Sequence, residues 1–418
     1  MPQWNIDEVR AAFPALAIRD DGRPRIYFDA PAGSQVPSRV LERMREAIID
    51  SCANDGGAFR TSQGSDRLMN ASLDGVAAFL GAARDEVLFG LNTTSLLFHF
   101  ARLIARDWQP GDEIVLTRMD HDGNVAPWLT AAEERDVQVR WLDFDPESFE
   151  YRYDTLCDLI GPKTRFVACN HASNILGTIN DVARIVAAAK SVGAVTMVDG
   201  VQSAPHIPID VKAIGCDLFA CSAYKFFGPH MGVLYLDPAL RERLKPLKVR
   251  PSSWEMPWRF APGTPSFEGQ AGTLGAIEHL AWLGSAFGGA ADEAPLRTRI
   301  VAGLTAATAH EAGLMRVALE GFASIPGLKV YGITGPNRLA ARVPTFSFSL
   351  PGREAGAVAQ ALADRNIFAW SGNFYAWEAA ARLGLGEGGV TRIGLAHYNS
   401  ADEVRTFIAA IGEIAAGA

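Results

Sequence analysis

The sequence predicts an α/β protein: a mostly parallel sheet with helices on both faces, followed by a smaller α+β domain. Helix-like and strand-like patterns alternate from about residue 70 to residue 240, which is typical of a parallel sheet covered by helices. The chain has 418 residues, more than one ordinary core accommodates, so two domains are expected. The alternation changes from about residue 290, where the second domain is expected to begin.

The elements of the first domain follow in chain order. They are helix 70–82, strand 86–89, helix 94–107, strand 113–117, helix 124–136, strand 138–142, strand 164–169, helix 181–191, strand 194–198 and an apolar strand from Asp217 to Cys221. The stretch from Gly272 to Ala291 contains Glu278 and His279, so it is interpreted as a core helix and not as a membrane span.

The second domain is predicted to mix helices and strands. Its elements are helix 296–320, strands 328–331 and 344–350, helix 355–364, a strand near 392–395 and a final helix. The glycine- and proline-rich segment Pro251 to Gly275 is expected to be an ordered loop at the site. The expected boundaries are an N-terminal segment, 1–22, packed on the small domain, a large domain at 23–290 and a small domain at 291–418.

Composition and charge exclude several classes of protein. With 48% apolar and 21% charged residues, the chain is typical of a well-packed globular protein. A net charge of −8 without a Lys/Arg cluster argues against a nucleic-acid or membrane-surface partner. No basic region followed by an apolar run opens the chain, so no signal peptide is expected. Five cysteines without a CxxC pair are expected to be reduced thiols in the cytoplasm, and no metal site is expected.

An acid and a lysine follow two of the apolar strands. Asp199 ends the strand 194–198, and Lys225 follows the Asp217–Cys221 segment. In such sheets ligands bind beyond the carboxyl ends of the strands. A lysine and a carboxylate placed there suit pyridoxal phosphate, whose aldehyde bonds to an amine and whose ring nitrogen an acid keeps protonated. Burial among aromatic side chains would lower the lysine pKa. The alternative is a partly buried structural lysine and a turn aspartate.

Two segments after strands carry further candidate ligands. Thr93 and Thr94 begin a helix, where free N–H groups and hydroxyls can hold a phosphate, although simple N-capping explains one hydroxyl equally well. His171 and Asn174 follow the strand that ends at Cys169. An imidazole there can stack on a pyridine ring and the amide can donate to an oxygen, although a lone loop histidine is more often structural.

Three other residues complete the candidate set. Gln202 lies three residues after Asp199 and can reach the phenolic oxygen of such a ring. Arg392 lies near a strand of the second domain and suits two-point binding of a carboxylate; the alternative is an interdomain salt bridge. Thr264 follows Gly263, which permits a close backbone approach.

These motifs, in this order, resemble the class V aminotransferase group of fold-type I pyridoxal-phosphate enzymes. Within that group the chain resembles the cysteine desulfurase and selenocysteine lyase branch. The resemblance extends from the segment 27–33, YFDAPAG, to the segment 392–399, RIGLAHYN. It implies a seven-stranded, mostly parallel sheet, pyridoxal 5′-phosphate as the cofactor, an amino acid as the substrate and a homodimer.

The resemblance also implies a role for each candidate residue. Lys225 would bond to the cofactor, Asp199 would hold its ring nitrogen and His171 would stack on its ring. The other implied cofactor ligands are Gln202 for the phenolic oxygen, Thr93, Thr94, Ser222 and Tyr224 for the phosphate, and Thr264 reaching across from the second subunit. Arg392 would bind the substrate carboxylate, with Asn174 and His121 nearby; His121 and Asn124 match another family segment.

Two departures from the family pattern bear on the reaction. Desulfurases carry an Arg-x-Gly-x-x-Cys loop whose cysteine accepts sulfur. The corresponding stretch here has Trp370 in place of the arginine and Tyr375 in place of the cysteine. Tyr224 precedes the lysine where the family usually has histidine, and its phenol can still donate to a phosphate. Because a buried thiol could not replace the missing cysteine, persulfide formation is not expected.

The leading hypothesis is therefore a carbon–sulfur lyase or a related β-eliminating enzyme, because elimination needs no sulfur acceptor. A class V aminotransferase or amino-acid epimerase is the alternative, with Trp370, Phe374, Tyr375 and Trp377 forming a bulky apolar wall. A non-catalytic binding subunit with the same fold is the alternative from another class.

Overall fold

The fold is described from a computed structural model that covers residues 3–417. Its larger sheet has seven strands: β1 (Val87–Gly90), β2 (Glu113–Thr117), β3 (Gln138–Leu142), β4 (Thr164–Asn170), β5 (Val195–Asp199), β6 (Leu218–Ser222) and β7 (Gly232–Leu236). Their order across the sheet is β1-β7-β6-β5-β4-β2-β3. Strand β7 is antiparallel to both its neighbours, and the other six strands are parallel to one another. The predicted fold class and the mostly parallel seven-stranded sheet are confirmed.

Alternate residues of the central strands face two separate apolar cores. In β4, Phe166 and Ala168 lie in one core, while Val167 and Cys169 lie in the other. The same alternation places Leu218 in the first of these cores and Phe219 in the second. Because both faces of the sheet are buried, its strands are almost continuously apolar.

A second sheet of four antiparallel strands follows near the C-terminal end. Its strands are β8 (Lys329–Tyr331), β9 (Thr345–Ser349), β10 (Trp370–Gly372) and β11 (Val390–Gly394), in the order β8-β9-β11-β10. Phe346 and Phe348 of β9 pack there with Phe322 and Phe407 from two helices.

The helices have the following bounds. They are Ile6–Ala11, Ser38–Arg45, Arg60–Leu80, Thr93–Ile104, Ala126–Arg135, Leu156–Leu159, Val182–Ser191, Val211–Ile214, Pro238–Arg243, Phe267–Ala286, Leu296–Ala323, Ala355–Ala363, Trp377–Leu383 and Ala401–Ala416. Within residues 3–417, no helix is long and apolar enough to cross a membrane.

Some predicted elements have different bounds in the structure. The helix predicted at 70–82 begins already at Arg60. The prediction of a loop up to Gly275 is wrong from Phe267 onward, because Ser266 accepts the Gly269 N–H and starts a helix there. The stretch Trp370–Gly372, compared above with a loop, is an edge strand paired with β11. Strand β7 is absent from the predicted elements.

The predicted domain boundaries stay a prediction, and several contacts cross them. Helix Leu296–Ala323 places Ile300 in a core of the large sheet and Phe322 in the core of the second sheet. In the N-terminal segment, Phe13 packs in the large core, whereas Arg10 forms an ion pair with Glu403 of the final helix at 2.8 Å.

The segment that begins at Ile26 is attached to the part of the chain that forms the second sheet. Ile26–Tyr27 pairs with Ile367–Phe368 as a short parallel ladder. The Gly394 N–H then donates to the Phe28 carbonyl at 2.8 Å. A Cβ atom on Gly394 would overlap the Pro31 ring, so this close approach requires glycine.

Replacing Gly394 with alanine is therefore expected to destabilise the protein by about 1–3 kcal/mol, the usual cost of overpacking. Urea unfolding measures the change. Gly412→Ala is the matched control, because a Cβ there meets no atom within 4 Å and alanine in a helix interior stabilises by up to ~1 kcal/mol. Equal effects of the two substitutions would contradict the packing argument.

Candidate active site

A cavity of about 430 Å³ opens at the carboxyl edge of the large sheet. Strands β4, β5 and β6 end there, and Arg392 of β11 reaches it from the second sheet. The predicted residues that line it are Thr93, Thr94, His121, Asn174, Asp199, Gln202, Ser222, Tyr224, Lys225 and Arg392. The cavity lining does not include the other two predicted residues, His171 and Thr264.

The Lys225 amine lies in the cavity and is held by backbone. Its Nζ donates to the carbonyl oxygens of Pro31 at 2.5 Å and Ala32 at 2.8 Å. Its pKa is lowered to about 7, first by burial and then by the Arg392 charge, while Asp199 and Asp29 act in the opposite direction. A large fraction of this amine is therefore unprotonated near neutral pH and available as a nucleophile.

Asp199 provides a buried carboxylate on the same cavity. Its Oδ1 accepts the Val201 N–H at 2.8 Å. Burial raises its pKa to about 6, while that N–H and the Lys225 charge lower it. The carboxylate is thus ionised at neutral pH despite its burial, and it can hold a positively charged donor.

Asp29 is a second buried acid that the sequence analysis left without a role. Its Oδ1 has no hydrogen-bond partner within residues 3–417. Burial raises its pKa to about 6, against the charges of Arg392 and Lys225. Asp29 belongs to the YFDAPAG segment, and this motif was the only sign in the sequence that it is a site residue. The fold then brings this segment beside Arg392 and Lys225.

One end of the cavity is rich in hydroxyls. The Thr93 and Ser222 hydroxyls contact each other at 2.6 Å, and Thr94 lies beside them on the cavity wall. Thr93 is the first residue of helix Thr93–Ile104, and Asn92 caps that helix by accepting the Ser95 N–H at 2.8 Å. Because Asn92 is the cap, the threonine hydroxyls are not needed for capping and can bind an anion at the helix N-terminus.

His121, and not His171, presents its ring to the cavity. The His171 backbone bridges two elements, since its N–H donates to the Asp199 carbonyl and its carbonyl accepts the Asn180 N–H. In its side chain, the His171 Nδ1 is buried without a hydrogen-bond partner within residues 3–417. His171 thus lies outside the cavity lining, and its role as the ring-stacking residue stays a prediction.

The protonation state of His121 follows from its contacts. Its Nδ1 accepts the Gly123 N–H at 2.9 Å, so in the neutral ring the proton is on Nε2. Burial lowers its pKa to about 4, and the Lys225 and Arg392 charges act in the same direction. His121 is thus a neutral hydrogen-bond donor at physiological pH.

Arg392 lies buried between a carbonyl and an aromatic ring. Its Nη1 donates to the Asn174 carbonyl at 2.9 Å, and its guanidinium carbon lies 3.9 Å from the centre of the Phe374 ring. The Asn174 side chain donates to the Phe374 carbonyl and leaves its Oδ1 without a partner within residues 3–417. Burial lowers the pKa of Arg392, yet a guanidinium stays charged at neutral pH.

Trp370, Phe374 and Tyr375 form the outer wall of the cavity. Phe374 and Tyr375 both have a φ of 57°, a conformation that is uncommon for residues other than glycine and is often found at functional sites. Two contacts stabilise this turn. The Asp122 N–H donates to the Tyr375 carbonyl at 2.7 Å. The His121 and Tyr375 rings pack against each other at a tilt, with their centres 5.4 Å apart.

A family model described as aminotransferase class-V matches residues 26–407. The chain belongs to the class-V aminotransferase family. This confirms the family that the motifs resembled, and with it a pyridoxal-phosphate-dependent enzyme.

The class-V enzyme is similar along its whole length to several known proteins. An aminotransferase-like protein from Gibberella zeae is 33% identical over 98% of both chains, and a cysteine desulfurase from Pectobacterium carotovorum is 32% identical over 98% of both chains. The apo structure of a cysteine desulfurase from Thermococcus onnurineus NA1 superposes over the whole of both chains with a TM-score of 0.87 and 28% identity. The class-V enzyme is therefore similar to cysteine desulfurases and to an aminotransferase-like protein.

The lowered pKa of Lys225 predicts when the class-V enzyme takes up its cofactor. Condensation of apoprotein with pyridoxal phosphate needs the free amine, so its rate should rise about tenfold per pH unit below pH 7 and level off above it. Absorbance of the bound cofactor measures this rate.

Two variants sharpen the measurement. Asp199→Asn should move the midpoint to lower pH, because the Asp199 charge raises the pKa of Lys225. Lys163→Ala, at an exposed position, should leave the midpoint unchanged. A midpoint near the ordinary lysine value of about 10.4 would contradict the burial argument.

Proposed function

We propose that this class-V enzyme is a carbon–sulfur lyase that eliminates the β-substituent of an amino acid. The supporting observation is that Tyr375 lines the cavity, because the sequence resemblance matches this residue to the sulfur-accepting cysteine of desulfurases. The cavity lining includes no cysteine of the described chain. Sulfur released from the substrate therefore leaves as a free product.

The positions of the cysteines support the same conclusion. Cys169, Cys216 and Cys221 are buried, and burial raises the pKa of each thiol. Such thiols are poor nucleophiles. Cys52 and Cys157 are exposed and lie outside the cavity lining.

The residues of the cavity fit pyridoxal phosphate. The Lys225 amine would bond to its aldehyde and Asp199 would pair with its ring nitrogen, while the hydroxyls of Thr93, Thr94 and Ser222 would hold its phosphate. When bound, the cofactor supplies an aldehyde for the amine and a ring that withdraws electrons from the substrate. His121, which lines the cavity, is proposed as the ring contact.

Two further side chains shape the cofactor end of the cavity. Gln202 donates one amide N–H to the Pro31 carbonyl at 2.9 Å, which leaves its second N–H for the phenolic oxygen. Tyr224 stacks on His230 with ring centres 4.7 Å apart, and the Lys225 Nζ lies 4.8 Å from the centre of the Tyr224 ring. The phenol of Tyr224 is proposed as a phosphate donor.

Substrate binding is assigned to Arg392. Its guanidinium can grip the α-carboxylate with two parallel hydrogen bonds. Asn174 aligns this arginine through its carbonyl, and its unpartnered Oδ1 can accept from the substrate amine. The Phe374 ring prevents water from reaching one face of the guanidinium.

Proton transfer is assigned to Lys225 and to the outer wall. With a pKa of about 7, the Lys225 amine is suited to take the Cα proton and to give it up again. The Cβ–S bond breaks as this proton leaves, and the sulfur departs with the bonding electron pair. The Tyr375 hydroxyl is proposed as the donor from which the departing sulfur is protonated, and the neutral His121 can hydrogen-bond to that sulfur through Nε2–H without giving up its proton.

A homodimer in the cytoplasm is part of this proposal. Leu91 and Trp254 are 75% and 66% exposed, and both are proposed as contacts that a second copy covers. Leu91 adjoins the helix start at Thr93, and Trp254 belongs to the same loop as the exposed Thr264. A partner covering both would bring its own Thr264 towards the phosphate end of the cavity.

The lyase proposal predicts a specific set of products. With cystine, cysteine or a cysteine S-conjugate, the enzyme should form pyruvate, ammonia and a free persulfide, sulfide or thiol, respectively. The Cys52→Ser/Cys157→Ser double variant should retain the full rate, since no enzyme thiol takes part.

Other outcomes identify the alternatives. Keto-acid formation that requires a second keto acid would instead show an aminotransferase, and inversion at Cα without release of a group would show an epimerase. Sulfur found covalently on an enzyme cysteine would contradict the proposal.

A further inference from the structure

A buried polar chain lies beneath the cavity and is not used by the proposed mechanism. Its members are Asp120, Thr117, Tyr151 and Asn170, each no more than 3% exposed. The Thr117 hydroxyl contacts the Asp120 Oδ2 and, at 2.7 Å, the Tyr151 hydroxyl. The Tyr151 hydroxyl contacts the Asn170 Oδ1 at 2.6 Å.

The orientation of the Asn170 amide determines which hydroxyl donates to which acceptor in this hydrogen-bonded series. The Asn170 Nδ2 donates to the Met119 carbonyl at 2.8 Å, which fixes the orientation of the amide. Its Oδ1 is then an acceptor, and the Asn180 Nδ2 already donates to it at 2.8 Å. The Tyr151 hydroxyl must therefore donate its only proton to the same oxygen.

The number of protons available to these hydrogen bonds determines the protonation state of Asp120. Since the Tyr151 proton is used, the Thr117 hydroxyl must donate to the Tyr151 oxygen. Thr117 then has no proton for Asp120, and the proton in that contact has to come from the carboxyl group. An ionised Asp120 would leave two oxygen lone pairs facing each other in a buried site, which is costly.

We propose that Asp120 is a protonated positioning residue in the native enzyme. Its Oδ2–H donates to Thr117, and its Oδ1 accepts the Asn124 Nδ2 at 2.8 Å. Together these bonds fix the turn that carries His121 into the cavity. The proposal does not depend on which reaction the enzyme catalyses.

The protonated state also has an electrostatic consequence for the site. Asn170, at the far end of the chain, is the strand partner of Asp199. With Asp120 neutral, Asp199 is the only anion of the two, so its charge is available to a donor in the cavity. A second negative charge beneath Asp199 would make that carboxylate harder to ionise.

Three titratable groups face Asp120, and burial and the Asp199 charge outweigh the hydrogen bonds from Asn124 and the Asn170 N–H, which favour the ionised state. These three groups are the carboxylate of Asp199 on β5, the thiol of Cys169 on β4 and the phenol of Tyr151. Burial raises the pKa of Asp120 to about 8, and the Asp199 charge acts in the same direction. Asp199, with a pKa of about 6, therefore ionises first.

The pH dependence of unfolding tests the proposal in the holoenzyme. The unfolded chain loses the Asp120 proton near pH 4, whereas the native state keeps it up to about pH 8. This group should therefore raise the unfolding constant about tenfold per pH unit between pH 5 and pH 8. Asp120→Asn keeps both hydrogen bonds and lacks the titration. The ratio of wild-type to Asp120→Asn unfolding constants should thus rise about tenfold per pH unit.

Control and diagnostic variants separate this effect from general destabilisation. Asp154→Asn, at an exposed position, should follow the wild-type profile. Tyr151→Phe frees the Thr117 proton to donate to an ionised Asp120, so it should weaken the pH dependence. An infrared band of a protonated carboxyl should be present in the wild type and lost in Asp120→Asn. A constant ratio of unfolding constants across this pH range, or a wild type without that band, would overturn the proposal.

Discussion

The site depends on the Lys225 amine and the Asp199 carboxylate, which are both buried at the same cavity and have separate hydrogen-bond partners. Lys225 follows β6 and Asp199 ends the neighbouring strand β5, so the parallel sheet delivers both to the same edge. The Lys225 amine is held by the Pro31 and Ala32 carbonyls. These neutral acceptors position the amine while burial lowers its pKa, and a ligand with its own aldehyde and ring nitrogen can therefore engage both groups.

The second sheet and the N-terminal strand are needed for this arrangement. The turn after Phe28 supplies the carbonyls that hold Lys225, and it is fastened to Gly394 of β11. The same strand, β11, carries Arg392 into the cavity. The cofactor end and the substrate end of the site are thus built from distant parts of the chain, and their geometry depends on how closely Gly394 approaches Pro31.

The sequence predicted the elements and site residues whose signals are local. Each parallel strand is a short apolar run, and Asp199 and Lys225 directly follow such runs, so the edge of the sheet and its chemistry could be inferred together. The start of helix 267–286 was predicted too late in the chain because the segment before it is rich in glycine and proline, which is typical of a loop, whereas the Ser266 cap starts the helix.

Other site features depend on contacts between distant residues. His121 lines the cavity and His171 does not, a difference that only the folded arrangement of the two turns reveals. The charges of Lys225 and Arg392 that lower the pKa of Asp29 reach it only because the fold places these residues near it. The state of Asp120 follows from the hydroxyls of Thr117 and Tyr151, which are separated from each other by more than thirty residues of chain.

The most direct test of the account is to find which residue bonds to the cofactor. The enzyme, as purified with pyridoxal phosphate, is reduced with borohydride and digested, and mass spectrometry locates the modified lysine among the seven in the chain. The account predicts one modification per chain, at Lys225, and none in the Lys225→Ala variant. Modification at another lysine, or an undiminished yield in that variant, would contradict it.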